Sequence, residues 1–112
     1  MTRPVSDYLK DIKREIDFLL HSTQGKDFKS FINDEVLTRA TERSLEIIGE
    51  AVKYIPIEIR NTYPIVDWKD MAGMRDKLIH HYFGIDHEIV WSVIQTEIPE
   101  LKEAIEVILK KI

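Results

Sequence analysis

Cysteine is absent from the 112 residues, which excludes disulfides, thiolate nucleophiles and thiolate-bound metals. Glycine and proline number four each, too few for a loop-rich or repeat-turn chain. No apolar run approaches the roughly 20 residues that a membrane span requires, and no charged-then-apolar leader opens the sequence. A cytoplasmic protein with no membrane partner is therefore expected. Positive charge is also in deficit, since 16 Lys and Arg against 20 Asp and Glu leave a net charge of −4. That balance argues against a surface gripping nucleic acid by bulk electrostatics, so any such contact needs a local basic cleft. Strand-like alternation, internal repeats, low-complexity segments and interdomain linkers are likewise missing.

What remains is 44% hydrophobic and 32% charged, the composition of a single helical domain over residues 1–112. Val5, Tyr8, Leu9, Ile12, Ile16, Leu19 and Leu20 recur at three- and four-residue steps and predict a first helix from Pro4 or Ser6 to His21. A second, close to eight turns long, is predicted from Asp27 to Ile55 on one continuous apolar face. Pro56 and Pro64 bracket an irregular stretch with room for one helical turn. Asp67 is placed to cap a third helix, which is predicted to end near Phe83 with Gly84 in the left-handed C′ position. Asp86 is placed to cap a fourth, with a kink or restart expected at Pro99. The expected fold is all-α, an antiparallel bundle of four to five helices.

Such a bundle carries little chemistry of its own, so function rests on particular side chains. In the third predicted helix Arg75 falls within about 20° of the centre of a stripe formed by Trp68, Met71, Ala72, Leu78, Ile79 and Tyr82. A guanidinium cannot discharge there. It must pair with a carboxylate such as Glu46 or Glu50, line a wet cleft, or await an anion. His80, His81 and His87 fall within eight residues of one another, close to Arg75 and Lys77, and form the local basic patch of an acidic chain. Arginine offers a planar fork for phosphate and imidazole moves protons near neutral pH. Together they suit cleavage of RNA, whose 2′-hydroxyl is a built-in nucleophile needing no metal. Neither a cofactor nor a metal site is expected. His81 and His87 otherwise read as solvated, and Trp68, Trp91 and the methionines as core. On an ideal helix positions 75 and 80 lie about 140° apart. Either the last turn distorts toward Gly84, or a two-fold partner brings the four groups together at an interface.

Arg-x4-His alone arises readily by composition, and the added tyrosine, Tyr82, makes the pattern far rarer. The surrounding string Gly73-Met-Arg-Asp-Lys-Leu-Ile-His-His-Tyr-Phe-Gly-Ile-Asp86 resembles the HEPN superfamily, in particular HepT-like toxins with the signature Arg-x4-His-x-Tyr. Arg39-Ala-Thr-Glu-Arg-Ser-Leu-Glu-Ile-Ile-Gly-Glu-Ala51 and Asp86-His-Glu-Ile-Val-Trp91 are similar to the flanking helices, and the resemblance covers essentially the whole chain. It implies a helical homodimer acting as a metal-independent endoribonuclease toxin of a toxin–antitoxin pair. Arg75 and His80 would be the catalytic residues in a cleft between subunits, with Lys77 and His81 as further RNA contacts. It also implies a nucleotidyltransferase antitoxin that attaches AMP to Tyr82 and silences the toxin, since phosphate on Tyr82 would fill a cleft built for phosphate. The alternative is a non-catalytic helical module that binds a nucleotidyltransferase and presents substrate or nucleotide to it.

Overall fold

A computed structural model of the chain describes residues 3–80 and 84–112, with the side chains of all of these except Ile79 and His80. The expected all-α architecture is present. Three long helices, α1 (Val5–Thr23), α3 (Glu35–Val52) and α7 (His87–Lys111), carry the core. Four short helical segments, α2 (Phe28–Ile32), α4 (Ile57–Arg60), α5 (Trp68–Ala72) and α6 (Met74–Leu78), join them. The apolar periodicity explains the packing directly. Leu9, Ile12, Ile16 and Leu19 of α1 meet Leu45, Ile48 and Val52 of α3 and Val90, Ile94, Ile98, Leu101 and Ile105 of α7 in one buried cluster. Ser44 Oγ donates to the Glu15 carbonyl at 3.3 Å where α1 and α3 cross, so the polar group in that contact is satisfied. Among the described residues no helix is long and apolar enough to cross a membrane.

Three element boundaries differ from expectation. The predicted eight-turn second helix is broken in two, because the Asp34 carboxylate accepts from the Leu37 N–H at 3.0 Å and starts α3 afresh. An aspartate offering its side chain to the backbone competes with helix continuation and favours a new N-terminus. At Pro99 the reverse holds, for α7 runs through it without a restart. Ile98 and Leu101 on either side are fully buried, so core burial offsets the hydrogen bond that proline cannot make. The third predicted helix stops at Leu78 rather than near Phe83. There the Leu78 carbonyl accepts from the Asp86 N–H at 3.0 Å, and Ile79–His80 (β1) pairs antiparallel with Gly84–Ile85 (β2) in the register Ile79 to Ile85 and His80 to Gly84. Gly84 does take a positive φ, +75°, but in an arm of this ladder rather than behind a helix.

Candidate ribonuclease site

The motif segment is assembled from α5, α6 and the β1–β2 ladder, and each piece has a local cause. Asp67 caps α5 as expected, accepting from the Asp70 N–H at 3.0 Å. At Gly73 the helix is interrupted, and α6 then begins with Met74, which is fully buried. Gly49 of α3 makes that seat possible. A Cβ on Gly49 would lie 2.9 Å from the Met71 carbonyl oxygen and 3.2 Å from Met74 Cβ, so only glycine lets the α5–α6 junction approach so closely. Asp86 closes the far end of the segment by accepting from the N–H groups of Glu88 and Ile89, which starts α7 immediately after the ladder.

This arrangement corrects the placement of Arg75. The buried stripe is Trp68, Met71, Met74 and Leu78, and Arg75, one residue or about 100° on from Met74, is exposed. Met74 takes the core slot that the continuous wheel had assigned to the arginine. A pairing of Arg75 with α3 is also not formed, because Glu46 lies 3.5 Å from Arg43 and Glu50 lies 2.9 Å from Lys53. Among the described residues no ion pair neutralises Arg75, which projects as a free cation. The backbone of His80 lies in β1, two residues beyond the end of α6, so the 140° separation computed for an unbroken helix does not apply to it. His81 and Tyr82 lie outside the described residues.

Lys77, expected as a further RNA contact, is held between two carboxylates. Its ammonium binds Asp70 of α5 at 2.6 Å and Glu97 of α7 at 3.1 Å. The two carboxyl groups also share a hydrogen bond. Burial, followed by that hydrogen bond and the Asp70 charge, raises the Glu97 pKa to about 7, whereas the hydrogen bond and Lys77 hold Asp70 below the usual carboxylate range. Of the two, Glu97 is therefore the carboxyl that takes up a proton first as pH falls. Asp70 and Glu97 were not among the residues singled out above. The seven-residue step from Asp70 to Lys77 spans about two turns and is legible on a wheel; Glu97 is brought in only by the packing of α7.

His87 departs from the expected solvated state. It is half-buried on the first turn of α7, and its Nδ1 is buried without a hydrogen-bond partner among the described residues. The Glu42 carboxyl on α3 is pushed up by burial and by Glu46, with nearby His87 acting in the opposite direction. Trp91, half-buried, packs its ring 5.0 Å from Phe31.

Comparison with known proteins bears on this site. The family described as "Ribonuclease HepT-like" matches residues 6–108, which include the whole motif segment. The chain is 53% identical over 104 residues to "Putative RNase TTE0752" of Caldanaerobacter subterraneus subsp. tengcongensis, covering 93% of each chain. It is 46% identical over 110 residues to "Putative RNase MJ1216" of Methanocaldococcus jannaschii, covering 98% of this chain and 91% of the other. It is 43% identical over 102 residues to "Probable ribonuclease HepT" of Thermococcus cleftensis, covering 91% of this chain and 93% of the other. No solved structure matches the chain. The family match over residues 6–108 and the relatives covered over nearly their full length make this chain a member of the HepT-like ribonuclease family of the HEPN superfamily.

Proposed function

We propose that this ribonuclease is the toxin of a toxin–antitoxin pair and cleaves RNA without a metal, using Arg75 and His80 in a cleft between two copies of the chain. The observation that carries the reading is the exposed guanidinium of Arg75, without an ion pair among the described residues, on a short helix whose neighbours Met74 and Leu78 are anchored in the core. A desolvated or salt-bridged arginine would have to break existing contacts before binding phosphate; this one does not.

The chemistry needs two groups. The 2′-oxygen of a ribose attacks the adjacent phosphorus and the 5′-oxygen of the next nucleotide leaves, giving a 2′,3′-cyclic phosphate and a 5′-hydroxyl. His80 takes the proton from the 2′-hydroxyl or supplies one to the leaving oxygen. Arg75 donates two parallel N–H bonds to the non-bridging oxygens, where negative charge accumulates in the transition state. A two-fold pair of subunits furnishes two copies of each group, so acid and base can come from different chains. His81 supplies a further basic contact to RNA. AMP placed on Tyr82 by a nucleotidyltransferase antitoxin adds a phosphate to the same site and competes with RNA for Arg75.

Incubation of the purified protein with total RNA in EDTA tests the reading. Fragments ending in 2′,3′-cyclic phosphate are expected, and they should be lost in both Arg75→Ala and His80→Ala. Intact RNA with the wild-type protein, or undiminished cleavage by both variants, would overturn it.

A further inference from the structure

The short helix α6 poses a mechanical problem. Five residues form little more than one turn, and an isolated helix of that length has almost no stability of its own. Met74 and Leu78 bury one edge of it, which fixes its depth and coarse orientation against the core but leaves the finer rotation about its own axis to its polar contacts. Arg75 stands on that axis as a lever. A rotation of the helix by a few tens of degrees moves a guanidinium, several ångströms from the axis, by more than the tolerance of a catalytic hydrogen bond.

Lys77 supplies the missing restraint. On a helical wheel it lies about 160° from Arg75, so whatever holds Lys77 inward turns Arg75 outward. Its ammonium is held at two points from two different elements, Asp70 at 2.6 Å across the Gly73 interruption and Glu97 at 3.1 Å on α7. All three side chains are about 30% exposed or less, a setting in which charge-assisted bonds are less screened than at an open surface. The other lysine–carboxylate pairs among the described residues, such as Lys13 with Asp17, join neighbouring turns of one helix; the Lys77 contacts tie three elements together.

We infer that Lys77 is a positioning residue for the ribonuclease site: bound at once by Asp70 of α5 and Glu97 of α7, it sets the rotation of α6 and so aims Arg75 at the phosphate. The inference rests on the reading of Arg75 as the phosphate clamp. It assigns Lys77 no contact with RNA, in contrast to the role that the motif's basic character suggests. Loss of aim removes stabilisation that exists only in the transition state, so it lowers kcat and leaves KM nearly unchanged.

The experiment measures the yield of 2′,3′-cyclic ends from total RNA at varied RNA concentration in EDTA, with thermal melts alongside. Lys77→Met is expected to lower kcat about ten- to a hundredfold with KM within about twofold of wild type. Lys77→Arg, which can still bridge two carboxylates, is expected to recover most of the loss. Glu97→Gln combined with Lys77→Met should be no worse than Lys77→Met alone, because both act through one contact. Lys13→Met removes an ordinary surface pair and should leave kcat unchanged. Wild-type kcat in Lys77→Met, or a KM increase without a kcat loss, overturns the positioning role. A kcat loss in Lys77→Met that Lys77→Arg does not recover overturns it too. Should Lys77→Met not fold, Glu97→Leu, which removes the α7 acceptor for the Lys77 ammonium, carries the test with the same expected split. Full activity in Arg75→Ala would instead sink the reading of Arg75 itself, and the two failures are thereby separable.

Discussion

Two side chains of the motif segment, two residues apart, differ in exposure and partners, for Arg75 is exposed and Lys77 is held by Asp70 and Glu97. Arg75 is exposed with no ion pair among the described residues, so its replacement should cost little stability and much activity. Arg75→Lys is expected to keep the unfolding free energy within about 0.5 kcal/mol of wild type, while losing at least about tenfold in cleavage because an ammonium cannot make the bidentate contact. A denaturant titration beside the RNA assay checks both halves. Glu97 yields a pH prediction. Its folded pKa of about 7 lies above the ordinary 4.5, so between those values the native state holds a proton that the unfolded chain releases. Stability contributed by this group is complete below about pH 4.5 and is lost as pH rises through 7. Asp70 is lowered from 3.8, and its contribution is lost only as the pH falls below that value, outside the window. Thermal melts from pH 5 to 8 should thus show a fall in Tm that is flatter in Glu97→Gln; equal slopes in the two proteins would count against the shared proton.

The α5–α6 junction against α3 is the contact on which the site's placement turns. Gly49 faces the Met71 carbonyl and Met74 Cβ with no room for a methyl group. Gly49→Ala gains helix propensity inside α3, yet is expected to destabilise by about 1–3 kcal/mol because backbone on the facing element must retreat. Urea denaturation measures this, and neutral or increased stability would show that α5 and α6 shift without cost. The boundaries of the elements had uneven legibility in the sequence. Asp67 and Asp86 announced the starts of α5 and α7, since an aspartate before an apolar-periodic run acts through bonds to the next few N–H groups. Asp34 carried the same signal for α3 but stood inside an unbroken apolar face, where periodicity outweighed it. The interruption at Gly73 and the short β1–β2 ladder left no periodic trace, because each follows from a single residue and a tertiary hydrogen bond.

For the molecule as a whole, the decisive question is whether two copies share one site. If Arg75 and His80 act across a two-fold interface, mixing the inactive Arg75→Ala and His80→Ala proteins should form heterodimers with one intact arginine and one intact histidine. Partial return of RNA cleavage is expected on mixing, and none when either variant is re-equilibrated with itself. Absence of any recovery, with subunit exchange verified by tagged pull-down, would remove the shared cleft from the proposal. At this scale the family was legible through the resemblance of the string from Gly73 to Asp86 and of the two flanking strings to HepT-like proteins.

Alone, the sequence determined the all-α class and the apolar faces of α1, α3 and α7, because periodicity is a local property of the chain, and its resemblance to HepT-like proteins marked the family. Tertiary structure decided which way Met74, Arg75 and Lys77 face. Met74 rather than Arg75 enters the core because Gly49 leaves room for it, and Lys77 turns from a free cation into a held one because α7 brings Glu97 to it. Both outcomes depend on residues more than twelve positions away along the chain, and contacts at such range are set by how whole helices pack rather than by the order of neighbouring residues.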